Sequence, residues 1–124
     1  MQVKYDFSGK NVLLIGGTTG IGRATALAFA QAGANLFVAG LGADFGRSLG
    51  EEVRAAGVDY EFREINVRDG KAMQALHEDA FDRFGRIDVA FNNAGVSGKT
   101  APVHELEDED YDLLMEVNLK GIFY

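Results

Sequence analysis

One short stretch, Ile15-Gly16-Gly17-Thr18-Thr19-Gly20-Ile21-Gly22, constrains what this chain can fold into more than any other. It follows the apolar run Val12-Leu13-Leu14-Ile15 and leads into Arg23-Ala24-Thr25-Ala26-Leu27-Ala28-Phe29-Ala30, a run of good helix formers. That pattern is a buried strand, a tight glycine turn and a helix. Such a turn leaves several backbone N–H groups at a helix N-terminus without internal partners, and the helix dipole adds partial positive charge there. An anion fits. Gly16, Gly20 and Gly22 are read as cradling a dinucleotide diphosphate. A Cβ in such a turn would keep the backbone away from a pyrophosphate, or keep the helix from packing close to the strand.

The rest of the chain repeats the same alternation. Gly33 is a natural stop for the first helix, and Asn35-Leu36-Phe37-Val38-Ala39 reads as a second buried strand. After Gly40-Leu41-Gly42, Asp44 is expected to cap a helix through about Ala56, with Phe45, Leu49 and Val53 on its buried stripe and Gly57 ending it. Tyr60-Glu61-Phe62-Arg63-Glu64-Ile65 alternates and carries charge, which an edge strand tolerates and a central one does not. Asp69 is expected to cap a third helix whose inner face holds Met73, Leu76, Ala80, Phe81 and Phe84, with Gly85 as its stop. His77 shares that face as an ordinary helix histidine. Ile87-Asp88-Val89-Ala90-Phe91-Asn92 is the fourth strand. A loop from Asn93 to about Glu107 then reaches the acidic helix start Asp108-Glu109-Asp110, where carboxylates complement the dipole. That helix is expected to continue through Tyr111, Leu114, Met115, Asn118 and Ile122.

Strands separated by helices long enough to cross over predict parallel, right-handed βαβ units with helices on both faces. With the charged third strand at an edge, the expectation is an α/β fold of the Rossmann type, a doubly wound parallel sheet in the order 3-2-1-4.

Composition narrows the function. The 124 residues suit one domain, spanning residues 1–124, with 47% apolar and 25% charged residues, which are ordinary globular values. A net charge of −7 gives no basic footprint for nucleic acid or an anionic membrane surface, so neither is expected as a partner. There is no cysteine to supply a thiolate, and the two histidines, His77 and His104, lie far apart, so no metal site is expected. The first ten residues do not read as a signal peptide, and no apolar run approaches the roughly 20 residues that span a bilayer. A cytoplasmic protein is expected.

Three motifs together resemble the N-terminal half of a short-chain dehydrogenase/reductase. Gly16-x-x-x-Gly20-Ile21-Gly22 is similar to that family's cofactor turn, Asn92-Asn93-Ala94-Gly95 to its second signature, and Val117-Asn118-Leu119-Lys120-Gly121 to its third. The resemblance implies hydride transfer between a nicotinamide dinucleotide, NAD or NADP, and a carbonyl or alcohol substrate. It assigns Gly16, Thr18, Thr19, Gly20 and Gly22 to the cofactor turn and Ile21 to the cofactor's wall. It places Leu41, Asn66 and Val67 near the adenosine, and it gives Asn92, Ala94 and Gly95 the adenosine side and the support of the fourth strand. It makes Asn118 the one catalytic residue present, the position that in relatives anchors a water in the proton relay.

The chain departs from the family pattern at several points. Ile15 stands where the family usually has Thr, tolerable if the site is packed. Gly40 and Leu41 offer neither the carboxylate that binds a ribose diol nor a base for a 2′-phosphate, so NAD and NADP stay open. Arg23 or Arg47 could reach a phosphate, although each reads more readily as a solvated helix residue.

The family's proton donor is a Tyr whose pKa is lowered by a Lys four residues later. Here Tyr5, Tyr60 and Tyr111 are followed four places on by Gly9, Glu64 and Met115, and no Tyr-x-x-x-Lys occurs. Three expectations follow: a cofactor-binding portion of a longer oxidoreductase, inactive alone; a dinucleotide-binding module without catalysis; or a self-associating form, a homo-oligomer joined at the open edge of Val89-Ala90-Phe91.

Overall fold

A computed structural model describes residues 3–124. Its four strands are β1 (Asn11–Ile15), β2 (Asn35–Gly40), β3 (Tyr60–Glu64) and β4 (Val89–Asn92). All pair in parallel in the order β3-β2-β1-β4, as the charge on the third strand implied. Leu14 lies between Val38 and Phe91, and Ile15 between Ala39 and Asn92, so the carboxyl ends of the inner strands finish level.

The two central strands bury both faces, and alternate residues serve different layers. Val12, Leu14, Leu36 and Val38 pack with Ala26 and Ala30 of α1 (Gly20–Gln31) and with Leu49 and Val53 of α2 (Ala43–Ala55). Leu13, Ile15, Phe37 and Ala39 pack with Met73, Leu76 and Ala80 of α3 (Gly70–Phe84) and with Val117. At about 1.5–3 kcal/mol for each large apolar side chain removed from water, this double-sided sheet is the main stabilising element.

Helix α2 departs from expectation in two ways. Asp44 does not cap it; the chain enters the helix through Gly42 at φ +85°, a backbone state open to glycine, and Asp44 falls in the first turn. Phe45 is 56% exposed, whereas Leu49 and Val53 are buried. The remaining sheet contact is made by Gly46 and Gly50. A Cβ on Gly50 would lie 2.6 Å from the Tyr60 ring, and one on Gly46 would enter the Phe62 ring. The helix therefore lies close on β3, and the Tyr60 hydroxyl donates to the Gly46 carbonyl at 2.7 Å. Burial pushes the Tyr60 phenol up to about 12, against the opposing pull of Arg54 and Arg23.

Helix α3 follows the sequence reading closely. The Asp69 carboxylate accepts from the backbone N–H of Lys71 and Ala72 at 3.1 and 3.0 Å, and Gly85 stops the helix at φ +72°. Phe84 meets Phe37 edge-on at 6.3 Å, but Phe81, expected on the same face, is 58% exposed one step round the helix from Ala80. After β4 the loop holds a single tight helical turn at Val103–Glu105, and α4 (Asp108–Met115) starts with a reciprocal Glu107–Asp110 cap. The expected unbroken last helix widens into a π turn at Glu116–Lys120 before α5 (Gly121–Phe123). No described helix is long and apolar enough to cross a membrane, and no cluster of metal-binding side chains occurs among the described residues.

Candidate functional site

The turn from β1 into α1 crosses the carboxyl end of β2. Gly16 and Gly17 donate to the Ala39 carbonyl at 2.7 and 3.3 Å. Gly16 has φ +84°, and a Cβ on it would lie 2.5 Å from the Ala94 nitrogen. A Cβ on Gly22 would collide with the Gly16 carbonyl oxygen and come within 2.9 Å of the Asn93 side chain. Those two glycines let the turn, the helix and the end of β4 close on one another. Gly20 differs: it has φ +54°, and nothing lies within 4 Å of where its Cβ would be.

Helix α1 begins without protection. Thr19 precedes it in an extended conformation and makes no side-chain cap, and its first turn holds no acidic residue. The other long helices differ: α3 has Asp69, α4 has its reciprocal cap, and α2 has Asp44 in its first turn. The N–H groups that open α1 are therefore free for an anion, with the helix dipole behind them.

A cleft of about 490 Å³ opens at the carboxyl ends of the strands. Gly16, Thr18 and Thr19 line it from the first turn; Gly40, Leu41, Gly42 and Phe45 from the end of β2; and Ile65, Asn66 and Val67 from the end of β3. Asn93 to Val96 and Val117 complete it. Among the described residues, no ionisable side chain lines it. Its size lies within the range of about 300–1,000 Å³ usual for small-ligand sites.

Of the residues singled out from sequence, Gly16, Thr18, Thr19, Leu41, Asn66, Val67, Ala94 and Gly95 line this one cleft. Gly20, Ile21, Gly22, Asn92 and Asn118 do not. Ile21 is 74% exposed in the first turn of α1. Asn92 ends β4 with its side chain exposed, and its neighbour Asn93 makes the bracing contacts instead. The Asn93 backbone donates to the Ile15 carbonyl at 2.9 Å, and its side-chain amide donates to the Gly16 carbonyl at 2.9 Å. The strand's period of two was the available signal, because Asn93 shares the side of Phe91 and Val89.

Asn118 sits in the π turn. Its Oδ1 accepts from the Val96 N–H and its Nδ2 donates to the Val96 carbonyl, both at 2.8 Å. Both ends of the amide thus hold the loop that carries Gly95 and Val96 against the cleft. Ile15 is buried in the second core layer, so the apolar replacement there is fully packed.

At the end of β2, the buried Thr18 hydroxyl donates to the Leu41 carbonyl at 2.9 Å. Arg23 turns to α2, donating to the Phe45 carbonyl at 3.3 Å and to Ser48 Oγ at 3.2 Å, and pairing with Glu52. Arg47 pairs with Asp44 at 2.9 Å.

A parallel sheet with a cleft where strand order reverses, beside an uncapped helix N-terminus reached through glycines, defines a nucleotide-binding α/β domain. The short chain dehydrogenase family matches residues 10–124, and the chain belongs to that family.

The chain is 36% identical over 118 residues to a 3beta-hydroxysteroid dehydrogenase of Mediterraneibacter gnavus, covering 95% of this chain and 43% of the relative. It is 33% identical over 118 residues to a cyclohexanol dehydrogenase of an Acinetobacter species, covering 95% and 47%. Among solved structures, an NAD+-bound xylitol dehydrogenase superposes with a TM-score of 0.90 at 31% identity, covering 94% of this chain and 45% of that one. An actinorhodin polyketide ketoreductase with NADPH superposes with a TM-score of 0.85 at 36% identity, covering 92% and 43%. The chain spans less than half the length of each of these relatives.

Proposed function

We propose that residues 1–124 are the dinucleotide-binding domain of an NAD(P)-dependent oxidoreductase that moves hydride between nicotinamide and a carbonyl or alcohol carbon. The observation that carries this reading is the uncapped, acid-free start of α1 beside the cleft. The residues present fit a dinucleotide. Main chain from Gly16 to Gly22 faces the diphosphate, and Gly20 leaves open space where a side chain would stand. Leu41, Asn66 and Val67 receive the adenosine; Ala94 and Gly95 form the inner wall.

Nicotinamide, when bound, supplies or accepts the hydride. This chain's own residues bind and orient the dinucleotide. Asn118 acts by position, fixing the Gly95–Val96 backbone through its two amide contacts. The 124 residues contain no Tyr-x-x-x-Lys, so these residues alone are expected to bind cofactor without turning substrate over.

The test is a fluorescence titration of the purified chain with NADH and NADPH, alongside an assay with alcohols and ketones. Submillimolar binding without turnover is the expected result. No binding of either cofactor at millimolar concentration would remove the reading, and turnover by these residues alone would remove its second half.

A further inference from the structure

Among the described residues, the walls of the cleft near the end of β2 carry no charge of either sign. Gly40, Leu41, Gly42 and Phe45 make that rim, with Thr18 beneath it. Gly40 brings no side chain to the rim, and a Cβ there would meet the Thr18 methyl and its hydroxyl oxygen at 3.3 Å, a tight contact. The hydroxyl is already committed to the Leu41 carbonyl. On the cationic side, Arg23 reaches the backbone of Phe45, a rim residue, but Glu52 neutralises it there. The start of α2 offers a phosphate its dipole, while Asp44 in the same turn opposes one.

Resting on the dinucleotide-binding reading above, we propose that this rim takes the adenosine ribose without charge recognition. NADH and NADPH then bind with comparable affinity: Gly40 supplies no carboxylate, and Glu52 is the residue that keeps the rim neutral. Glu52 does so by cancelling the guanidinium of Arg23, which among the described residues is the one bonded to the rim.

The experiment is a fluorescence titration with NADH and NADPH at low and moderate salt, run on the native chain, on Glu52→Gln and on the double variant Thr18→Ala/Gly40→Asp. Thermal melting confirms that each variant is folded. The native dissociation constants should agree within about threefold, the range that exposed, screened charges produce. Glu52→Gln should tighten NADPH by about threefold, more at low salt than at moderate salt, and leave NADH unchanged. The double variant should favour NADH over NADPH by about tenfold, as a carboxylate facing a diol rather than a phosphate requires.

A native preference beyond about tenfold for either cofactor overturns the inference. So does an NADPH affinity indifferent to Glu52, or a double variant without a new preference. Loss of binding for both cofactors in the native chain is a different outcome, because it removes the dinucleotide reading itself.

Discussion

Gly20 and Gly22 lie two residues apart in one motif, yet the structure gives them opposite relations to their surroundings. A methyl group on Gly22 has no space, because the Gly16 carbonyl is already there. Gly22→Ala should therefore destabilise the fold by about 1–3 kcal/mol or more, as overpacking does. Gly20→Ala meets open space and pays for its left-handed backbone only about 1–2 kcal/mol. It should fold, and it should lose at least about tenfold in NADH affinity if the diphosphate rests there. Urea denaturation and cofactor titration on the two variants separate the roles; an NADH affinity unaffected by Gly20→Ala would remove Gly20 from the site. The sequence motif made the presence of glycines legible but not this division of labour, which depends on where Ala94 and Asn93 come to lie. The same limit explains Asn92. The motif contains two adjacent asparagines, and only the strand register decides that Asn93 is the one bonded to Gly16.

Helix α3, whose ends are written in side chains, was read correctly, whereas the cap expected of Asp44 at α2 was not found and Gly42 stands there instead. Asp69 and Gly85 bound α3 as local chemistry dictates. The Gly46 and Gly50 face of α2 was not legible, because its reason is the pair of rings that β3 raises against it. Tyr60 reports on that contact. A phenol pushed up to about 12 in the folded chain, against about 10 when unfolded, favours folding fully below pH 10. That contribution is lost as pH rises from 10 to 12, because the unfolded tyrosine ionises first. Tyr60→Phe should cost about 0.5–1.5 kcal/mol at pH 7 through the lost bond to Gly46, and should flatten the decline in stability above pH 10. Urea midpoints across the alkaline range test it; an unchanged slope in the variant would assign the decline elsewhere. The π turn was equally hidden, since nothing local marks Glu116–Lys120 as wider than its neighbours. Its consequence is the Asn118 clamp on Val96. Asn118→Ala removes both bonds and should raise amide exchange at Val96 while leaving α3 protected. Equal loosening of both would mean that Asn118 supports the whole fold rather than that loop.

The molecule as a whole presents two sheet edges of different character. At β3, Glu61 and Arg63 pair with Arg83 and Asp79 of α3, and such charge discourages strand addition. At β4, Val89, Ala90 and Phe91 leave an apolar edge with no neighbour beyond it among the described residues. Strand order was legible because this contrast is written in the residues themselves. An open apolar edge is a template for a second copy, and pairing about a two-fold axis satisfies both chains at once. The net charge of −7 opposes that approach and is screened by salt. The 124-residue chain should therefore be more dimeric at high salt than at low salt when followed by light scattering. Ala90→Lys, which puts a charge on the exposed edge, should shift it towards monomer without lowering its melting temperature. A monomer at high concentration and high salt, or a dimer indifferent to Ala90→Lys, would mean that β4 does not join the copies.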